Sequence, residues 1–476
     1  MKQRPNILWL CADQQRYDTI CALGNEYIDT PNLDRLCAQG VAFTHAYVQN
    51  PVCTPSRASF MTGKYPSAIN ANILGGVNNP EHCTLITRAL ADAGYHCGNI
   101  GKLHISAAWD GEEHRGDDGY STFIYSLSPG HDLEHGCNEY KTWLEGKGID
   151  WHDLMAGDGE RNYYWYREDA PAELRQTAWC AEEAVKFIRE RTNADPDRPW
   201  ALTVNCFDPH PPYDAPLELV EKYLARNIPD PIYTEEDPKT YESLKNIYHQ
   251  SKGCNPPSDA VRRERASYYG MCELVDRHFG RIIDALDEMG LREDTVIIFT
   301  SDHGEMLGDH GLTHKGCRFY EGAVRVPLIF SCPARFASGK RVEGITELTD
   351  IAPTIAELCG IEFPDTHGHS LTAALSAEGG EGILRDYVRC EYYQSCRGGK
   401  KPKPSYATMF RDRRYKLVVY HGIEAGELYD LENDPDETHN LWNDPACAAL
   451  RFELLKKSFD VAAVVQRPGQ ERNGRY

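Results

Sequence analysis

Short runs of consecutive apolar residues alternate along this chain with longer stretches in which apolar residues return every three or four positions. Residues 6–12 (Asn6-Ile7-Leu8-Trp9-Leu10-Cys11-Ala12) and 295–300 (Thr295-Val296-Ile297-Ile298-Phe299-Thr300) show no polar face between their ends. A strand apolar on both faces is covered on both faces, as in a parallel sheet between helix layers. Residues 41–48, 95–100, 200–207 and 323–330 read as further core strands. Helices are predicted over 30–36, 85–93, 174–191, 263–289 and 350–358. The clearest is 263–289, where Met271, Leu274, Val275, Phe279, Ile282, Ile283 and Leu286 recur at helical spacing and Gly290 stops the pattern. This alternation predicts an α/β chain. The periodicity weakens over 106–170, where Trp109, Trp143, Trp151 and the Tyr163-Tyr164-Trp165-Tyr166 run fall. An irregular insertion of that length suits a lid or substrate wall. Residues 229–257 read as a polar surface excursion. Beyond about 369 the pattern changes to short strands at 406–410, 415–420 and 427–431, then an amphipathic helix at 446–464. The expected division is a catalytic domain over 1–369 and a smaller α+β domain over 370–476.

Polar residues sit abruptly at the ends of the apolar runs. The first ends in Asp13-Gln14, the later one in Ser301-Asp302-His303-Gly304-Glu305. Asp13 alone reads as a helix cap. Two buried strands that each deliver an Asp and a metal-competent neighbour repeat one device, and such an oxygen-rich set with one imidazole suits calcium, magnesium or manganese. Residues 95–100 lead into Gly101-Lys102-Leu103-His104, where Lys102 and His104 share a face, and His210 is held between prolines in Asp208-Pro209-His210-Pro211-Pro212-Tyr213. Basic groups converging at one sheet edge suit an anionic substrate and proton transfer. His310 and His314 read as loop residues.

Asn50-Pro51-Val52-Cys53-Thr54-Pro55-Ser56-Arg57 then opens a short helix that Gly63 can close. Cys53 thus lies at a helix N-terminus, where backbone N–H groups favour an anion, with Arg57 one turn on. Cysteine phosphatases keep five residues between Cys and Arg; here there are three, and that position is Ser59, so a thiolate phosphatase is excluded by spacing.

Composition sharpens the class. The 476 residues carry 51 basic and 72 acidic side chains, a net charge of −21, against a nucleic-acid or anionic-membrane partner. No apolar run reaches a membrane span, and 6–12 is too short for a secretion signal, which predicts a cytoplasmic protein. The 17 cysteines include no Cys-x-x-Cys pair, so neither a disulfide framework nor a zinc knuckle is expected.

These motifs in this order, Pro5-Asn6-Ile7-Leu8 with Asp13, Thr30-Pro31-Asn32-Leu33-Asp34, Cys53-Thr54-Pro55-Ser56-Arg57, Gly101-Lys102-Leu103-His104, Pro209-His210-Pro211-Pro212-Tyr213, Ser301-Asp302-His303-Gly304, Lys315 and Glu427-Leu428-Tyr429-Asp430-Leu431, resemble the sulfatase family of the alkaline phosphatase superfamily. The resemblance implies a large mixed, mostly parallel sheet flanked by helices, with a smaller C-terminal antiparallel sheet. It implies that a sulfatase-maturing enzyme converts Cys53 to formylglycine, whose hydrate attacks sulfur or phosphorus. Asp13, Gln14, Asp302 and His303 would hold one divalent cation, calcium first, with manganese or magnesium the alternatives. Arg57 and Lys102 would stabilise the nucleophile, His104 would take the remaining hydroxyl proton, and His210 and Lys315 would bind the sulfuryl oxygens and protonate the leaving alcohol. Gln14 and His303 depart from the Asp-Asp and Asn of most arylsulfatase-like members and resemble choline sulfatases and phosphonate monoester hydrolases. The expected activity is hydrolysis of a sulfate monoester on a small molecule or saccharide. A phosphonate monoester or phosphodiester hydrolase is the alternative, and a metal-stabilised binding protein is the reading from another class. The pocket asparagine is open among Asn72, Asn78 and Asn79, and a homo-oligomer is compatible with the class.

Overall fold

The computed structural model describes residues 4–76, 83–109, 112–130, 138–157, 164–244, 255–363, 365–377, 384–396 and 405–465. A nine-stranded sheet runs in the order Lys340–Val342, Gly40–Tyr47, Arg325–Ser331, Thr295–Ser301, Asn6–Ala12, Trp200–Asn205, His96–Gly101, Thr122–Tyr125, and Thr346–Glu347 also pairs with Gly40–Tyr47. From Thr295–Ser301 to Thr122–Tyr125 every pairing is parallel. Arg325–Ser331 is antiparallel to both neighbours, and its register shifts around Pro327, which has no N–H for a ladder bond.

The central strands are apolar throughout because they feed two cores. Ile7, Trp9, Cys11, Val296 and Ile298 enter one cluster, and Leu8, Leu10, Ala12, Ile297 and Phe299 enter the other. Helix Asp259–Glu288 covers the second cluster with Val275, Phe279, Ile282, Ile283 and Leu286, as its spacing predicts. Helices Pro31–Ala38, Ile86–Asp92, Gln176–Ala194 and Ile351–Cys359 likewise form where the sequence places them.

Several strands escape the pattern, among them Lys340–Val342, Thr346–Glu347 and two longer ones. Thr122–Tyr125 lies inside the stretch read as irregular yet forms the edge of the main sheet; four residues are too few to display a period. Val388–Tyr393 carries Arg389 and Glu391 within a strand; both are buried, paired with each other at 3.4 Å and hydrogen-bonded to the Tyr393 hydroxyl and the Ser67 N–H respectively. It heads a four-stranded antiparallel sheet with Tyr406–Arg411, Tyr415–Tyr420 and Gly426–Asp430. One face of that sheet packs Phe410, Leu417 and Leu428 on Leu454, Val461 and Val465 of helix Ala448–Val465. The other joins the main core through Cys390, Tyr392, Met409, Val418 and Tyr420.

Part of the 229–257 segment is anchored rather than superficial. Asp237 is buried and accepts a hydrogen bond from His310 Nδ1 at 2.9 Å, and His310 N–H donates to the Ile232 carbonyl at 2.6 Å. Among the described residues no helix is long and apolar enough to cross a membrane.

Candidate active site and metal centre

Adjacent parallel strands set two carboxylates side by side. Ala12 is in register with Ser301, so the residues that follow, Asp13 and Asp302, leave the sheet together at its C-terminal edge, and Asp302 N–H donates to the Ala12 carbonyl at 3.3 Å. Asp302 Oδ1 accepts from the backbone N–H groups of both Gln14 and His303 at 3.0 Å. The Gln14 backbone is left-handed, with φ 72°. His303 Nδ1 faces the Gly304 carbonyl at 2.9 Å; a carbonyl only accepts, so Nδ1 carries the hydrogen and Nε2 is left as a ligand atom. Donor atoms of Asp13, Cys53, Asp302 and His303 all lie within 4.8 Å of one another, and all four residues are buried. A buried, convergent set with two carboxylates and an oriented imidazole fits a divalent cation.

The helix Cys53–Thr62 starts at Cys53, ends at Gly63 in the left-handed region, and is buried at every residue. Ser56 Oγ donates to the Asp302 carbonyl at 2.5 Å, which ties the helix to the strand end. Arg57, one turn after Cys53, reaches across both carboxylates: Nε to Asp302 Oδ2 at 2.8 Å and Nη2 to Asp13 Oδ2 at 3.4 Å. Its Nη1 donates to the Lys102 carbonyl at 3.0 Å and to Asn205 Oδ1 at 3.3 Å. Gly101 has φ 89°, and a Cβ there would lie 2.0 Å from the Asn205 carbonyl oxygen, so glycine alone makes the turn that delivers Lys102. Lys102 Nζ pairs with Asp13 Oδ2.

Cys53 Sγ is the point on which these groups converge. It lies 3.0 Å from Lys315 Nζ, 3.1 Å from His303 Nε2 and 3.8 Å from Lys102 Nζ. Burial opposes ionisation, but the charges of Lys102, Lys315 and His303 outweigh it and hold the thiol well below its ordinary pKa. Burial also acts to raise Asp13, as does the Cys53 charge, while Lys102 and Arg57 bring it below the carboxylate range. Lys315 is raised: burial disfavours its charge, and Cys53, Asp13 and Asp302 more than restore it. Burial, then the Lys315 charge, drops His210 to about 3, so its imidazole is neutral. Its Nδ1 faces the Pro211 carbonyl at 2.7 Å, which leaves Nε2 as an acceptor. The structure thus brings Asp13, Gln14, Cys53, Arg57, Lys102, His104, His210, Asp302, His303 and Lys315 to one edge of the sheet. His310, paired with Asp237 and stacked 3.8 Å from the Tyr320 ring, stands outside the metal cluster. Asn78, Asn79 and Tyr163 lie outside the described residues.

Three partners escape the motif reading. Asn205 ends the Trp200–Asn205 strand and is fixed by Asn99 Oδ1 at 2.9 Å; a polar residue in an apolar run was its signal. Glu305 sits inside a recognised motif but contacts Gln14, which spacing does not reveal. Glu113 carries no local signal at all. Its buried carboxylate accepts from the backbone N–H groups of His104 (2.6 Å), Ile105 (2.7 Å) and Ser106 (3.0 Å), and so shapes the turn that holds His104 at φ 54°. Glu113→Ala is expected to lower kcat by about 10–100-fold through misplacement of His104, with little change in KM, and Glu113→Gln, which keeps an acceptor, by less. Steady-state kinetics on both variants check this; an unchanged kcat for Glu113→Ala would remove Glu113 from the support of His104.

A family model described as Sulfatase matches residues 5–361, and one described as N-sulphoglucosamine sulphohydrolase, C-terminal, matches residues 308–463. The arylsulfatase of Clostridium perfringens is 31% identical, over 95% of this chain and 93% of its own. The choline-sulfatase of Rhizobium meliloti is 29% identical, over 93% of this chain and 83% of its own. The crystal structure of the phosphonate monoester hydrolase of Agrobacterium radiobacter superposes with a TM-score of 0.79 at 27% identity, covering 97% of this chain and 96% of that one.

Proposed function

The chain belongs to the sulfatase family, and from that membership we propose that it hydrolyses a sulfate monoester through Cys53 once this residue is converted to formylglycine. The observation that carries the reading is the position of Cys53 Sγ, 3.0 Å from Lys315 Nζ and 3.1 Å from His303 Nε2 at a buried helix N-terminus. The sulfur stands where a reacting oxygen of the modified residue would stand. Hydrated formylglycine supplies two hydroxyls, one to attack sulfur and one whose deprotonation expels the anion. A divalent cation held by Asp13, Gln14, Asp302 and His303 supplies Lewis-acid stabilisation of negative charge; calcium is the ion proposed, with manganese or magnesium the alternatives.

The chain's own side chains do the rest. Lys102 and Arg57 balance Asp13 and Asp302, which keeps the site receptive to an anion. Lys315, charged and beside Cys53, is the resident donor to the leaving alcohol. His210 begins neutral and binds through Nε2; the negative charge of a bound sulfate favours its protonation, after which it can donate as well. His104 acts as the base for the second hydroxyl. The described cysteines are all free thiols, which supports a cytoplasmic location.

The test is the mass of the Cys53 peptide from protein made beside a sulfatase-maturing enzyme, joined to rates on a matched aryl sulfate and aryl phosphonate monoester. The expected result is the aldehyde or its hydrate and faster sulfate hydrolysis. An unmodified thiol in active material would sink the nucleophile. Faster phosphonate hydrolysis would favour the alternative, which Gln14 and His303 already recommend.

A further inference from the structure

Glu305 is fully buried two residues beyond His303. Its Oε1 accepts from the backbone N–H groups of Leu307, at 2.9 Å, and of His314. Its Oε2 accepts from Gln14 Nε2. The other end of the same amide, Gln14 Oε1, accepts from Lys315 Nζ at 2.7 Å, and that ammonium is also 3.0 Å from Cys53 Sγ. The two ends of a glutamine amide have nearly the same shape and opposite hydrogen-bonding sense, so the partners decide which end faces where. A carboxylate only accepts and an ammonium only donates. Glu305 therefore takes the NH2 and turns the oxygen toward the Cys53 side, where a hard cation needs it.

We propose that Glu305 is a positioning residue of the metal site: it fixes the Gln14 amide with its oxygen toward the cation and, through that hydrogen bond, supplies negative charge that a glutamine ligand lacks. The proposal rests on the reading that Asp13, Gln14, Asp302 and His303 hold the cation. Glu305 itself is not a ligand; it acts on the ion only through Gln14. Its other oxygen is committed to Leu307 and His314, so the carboxylate cannot rotate away without leaving the buried Leu307 N–H and the half-buried His314 N–H unpaired.

The experiment measures manganese affinity of the full chain by competition with a chromophoric chelator. In Glu305→Gln the single remaining oxygen stays on the Leu307 and His314 N–H groups, which sets an NH2 against the Gln14 NH2. The Gln14 amide must turn over and present nitrogen to the ion. Manganese affinity is expected to fall by about 10–100-fold, the range for loss of a ligand's outer partner. The reciprocal pair Gln14→Glu/Glu305→Gln restores an amide facing a carboxylate and is expected to recover affinity to within about tenfold of wild type. A merely structural Glu305 would lower thermal stability without moving manganese affinity, or would lower affinity with no recovery in the reciprocal pair, and either result overturns the proposal. If Glu305→Gln alone does not fold, the reciprocal pair carries the test, and its failure to fold or to bind overturns it. Asp302→Asn separates the two readings. Manganese bound by that variant as tightly as by wild type would refute the ligand set itself; loss there with wild-type affinity in Glu305→Gln would refute only the role of Glu305.

Discussion

Cys53→Ala is expected to abolish sulfate ester hydrolysis, lowering kcat/KM by on the order of 10⁴-fold or more, the scale seen when a nucleophile is deleted while the binding groups stay. The substitution removes a buried sulfur that lies against Lys315, His303 and Lys102, but the helix keeps its anchors: Ser56 still ties it to the Asp302 carbonyl, and Arg57 still spans Asp13 and Asp302. Thermal stability of the variant should therefore stay close to wild type, which separates lost chemistry from lost folding. The same logic applies without mutation. Activity across preparations should scale with the fraction of Cys53 peptide that carries the modification, and a preparation of pure thiol should behave like Cys53→Ala. Hydrolysis by Cys53→Ala within tenfold of wild type would assign the nucleophile elsewhere.

Arg57→Ala has the second large effect, and its size depends on the metal. Arg57 is buried, and its guanidinium neutralises two carboxylates that are themselves fully buried. Removing one partner of such a network leaves uncompensated charge, at a cost of about 3–5 kcal/mol. Asp13 retains Lys102, so the larger share falls on Asp302. A divalent cation at the site supplies positive charge to the same two carboxylates. The loss of thermal stability in Arg57→Ala should thus be greatest with a chelator present and smaller at saturating metal, while activity falls in both. Equal losses in both conditions would mean that Arg57 contributes packing rather than charge balance. Arg57→Lys should lie between, because one ammonium cannot reproduce a fork that reaches Asp302, Asp13, Lys102 and Asn205 together.

The readable part of the site consists of residues at the ends of strongly patterned elements. Asp13 and Asp302 are 289 positions apart in a chain whose strands Asn6–Ala12 and Thr295–Ser301 pair in register. They were visible as a pair: Asp13 alone reads as a helix cap, and the repetition of the same device at a second buried strand end singled both out. Cys53 and Arg57 were visible together because helical spacing alone puts them on one face. Thr122–Tyr125 and Val388–Tyr393 were not visible: the first is too short to show a period, and the second hides its strand character behind charges that only pairing makes buriable. Glu113 and Glu305 were invisible as supports for a different reason. Each acts by accepting hydrogen bonds from groups that approach it through loop geometry, and nothing in the spacing of a loop encodes where its N–H groups point.

By itself, then, the amino-acid sequence determined the elements, their order and the chemistry at their ends, because hydrophobic period and turn residues act over a few neighbours. It also carried the family, through ordered motifs that span both matched regions. Tertiary structure alone decided which strand ends became neighbours, that Arg325–Ser331 runs against the strands beside it, and that His210 is neutral while Lys315 is charged beside the same sulfur. It also decided that the Gln14 amide turns its NH2 to Glu305 and its oxygen to Lys315. Those outcomes depend on burial and on charges brought within a few ångströms from distant parts of the chain, and Coulomb and desolvation energies change steeply over that range.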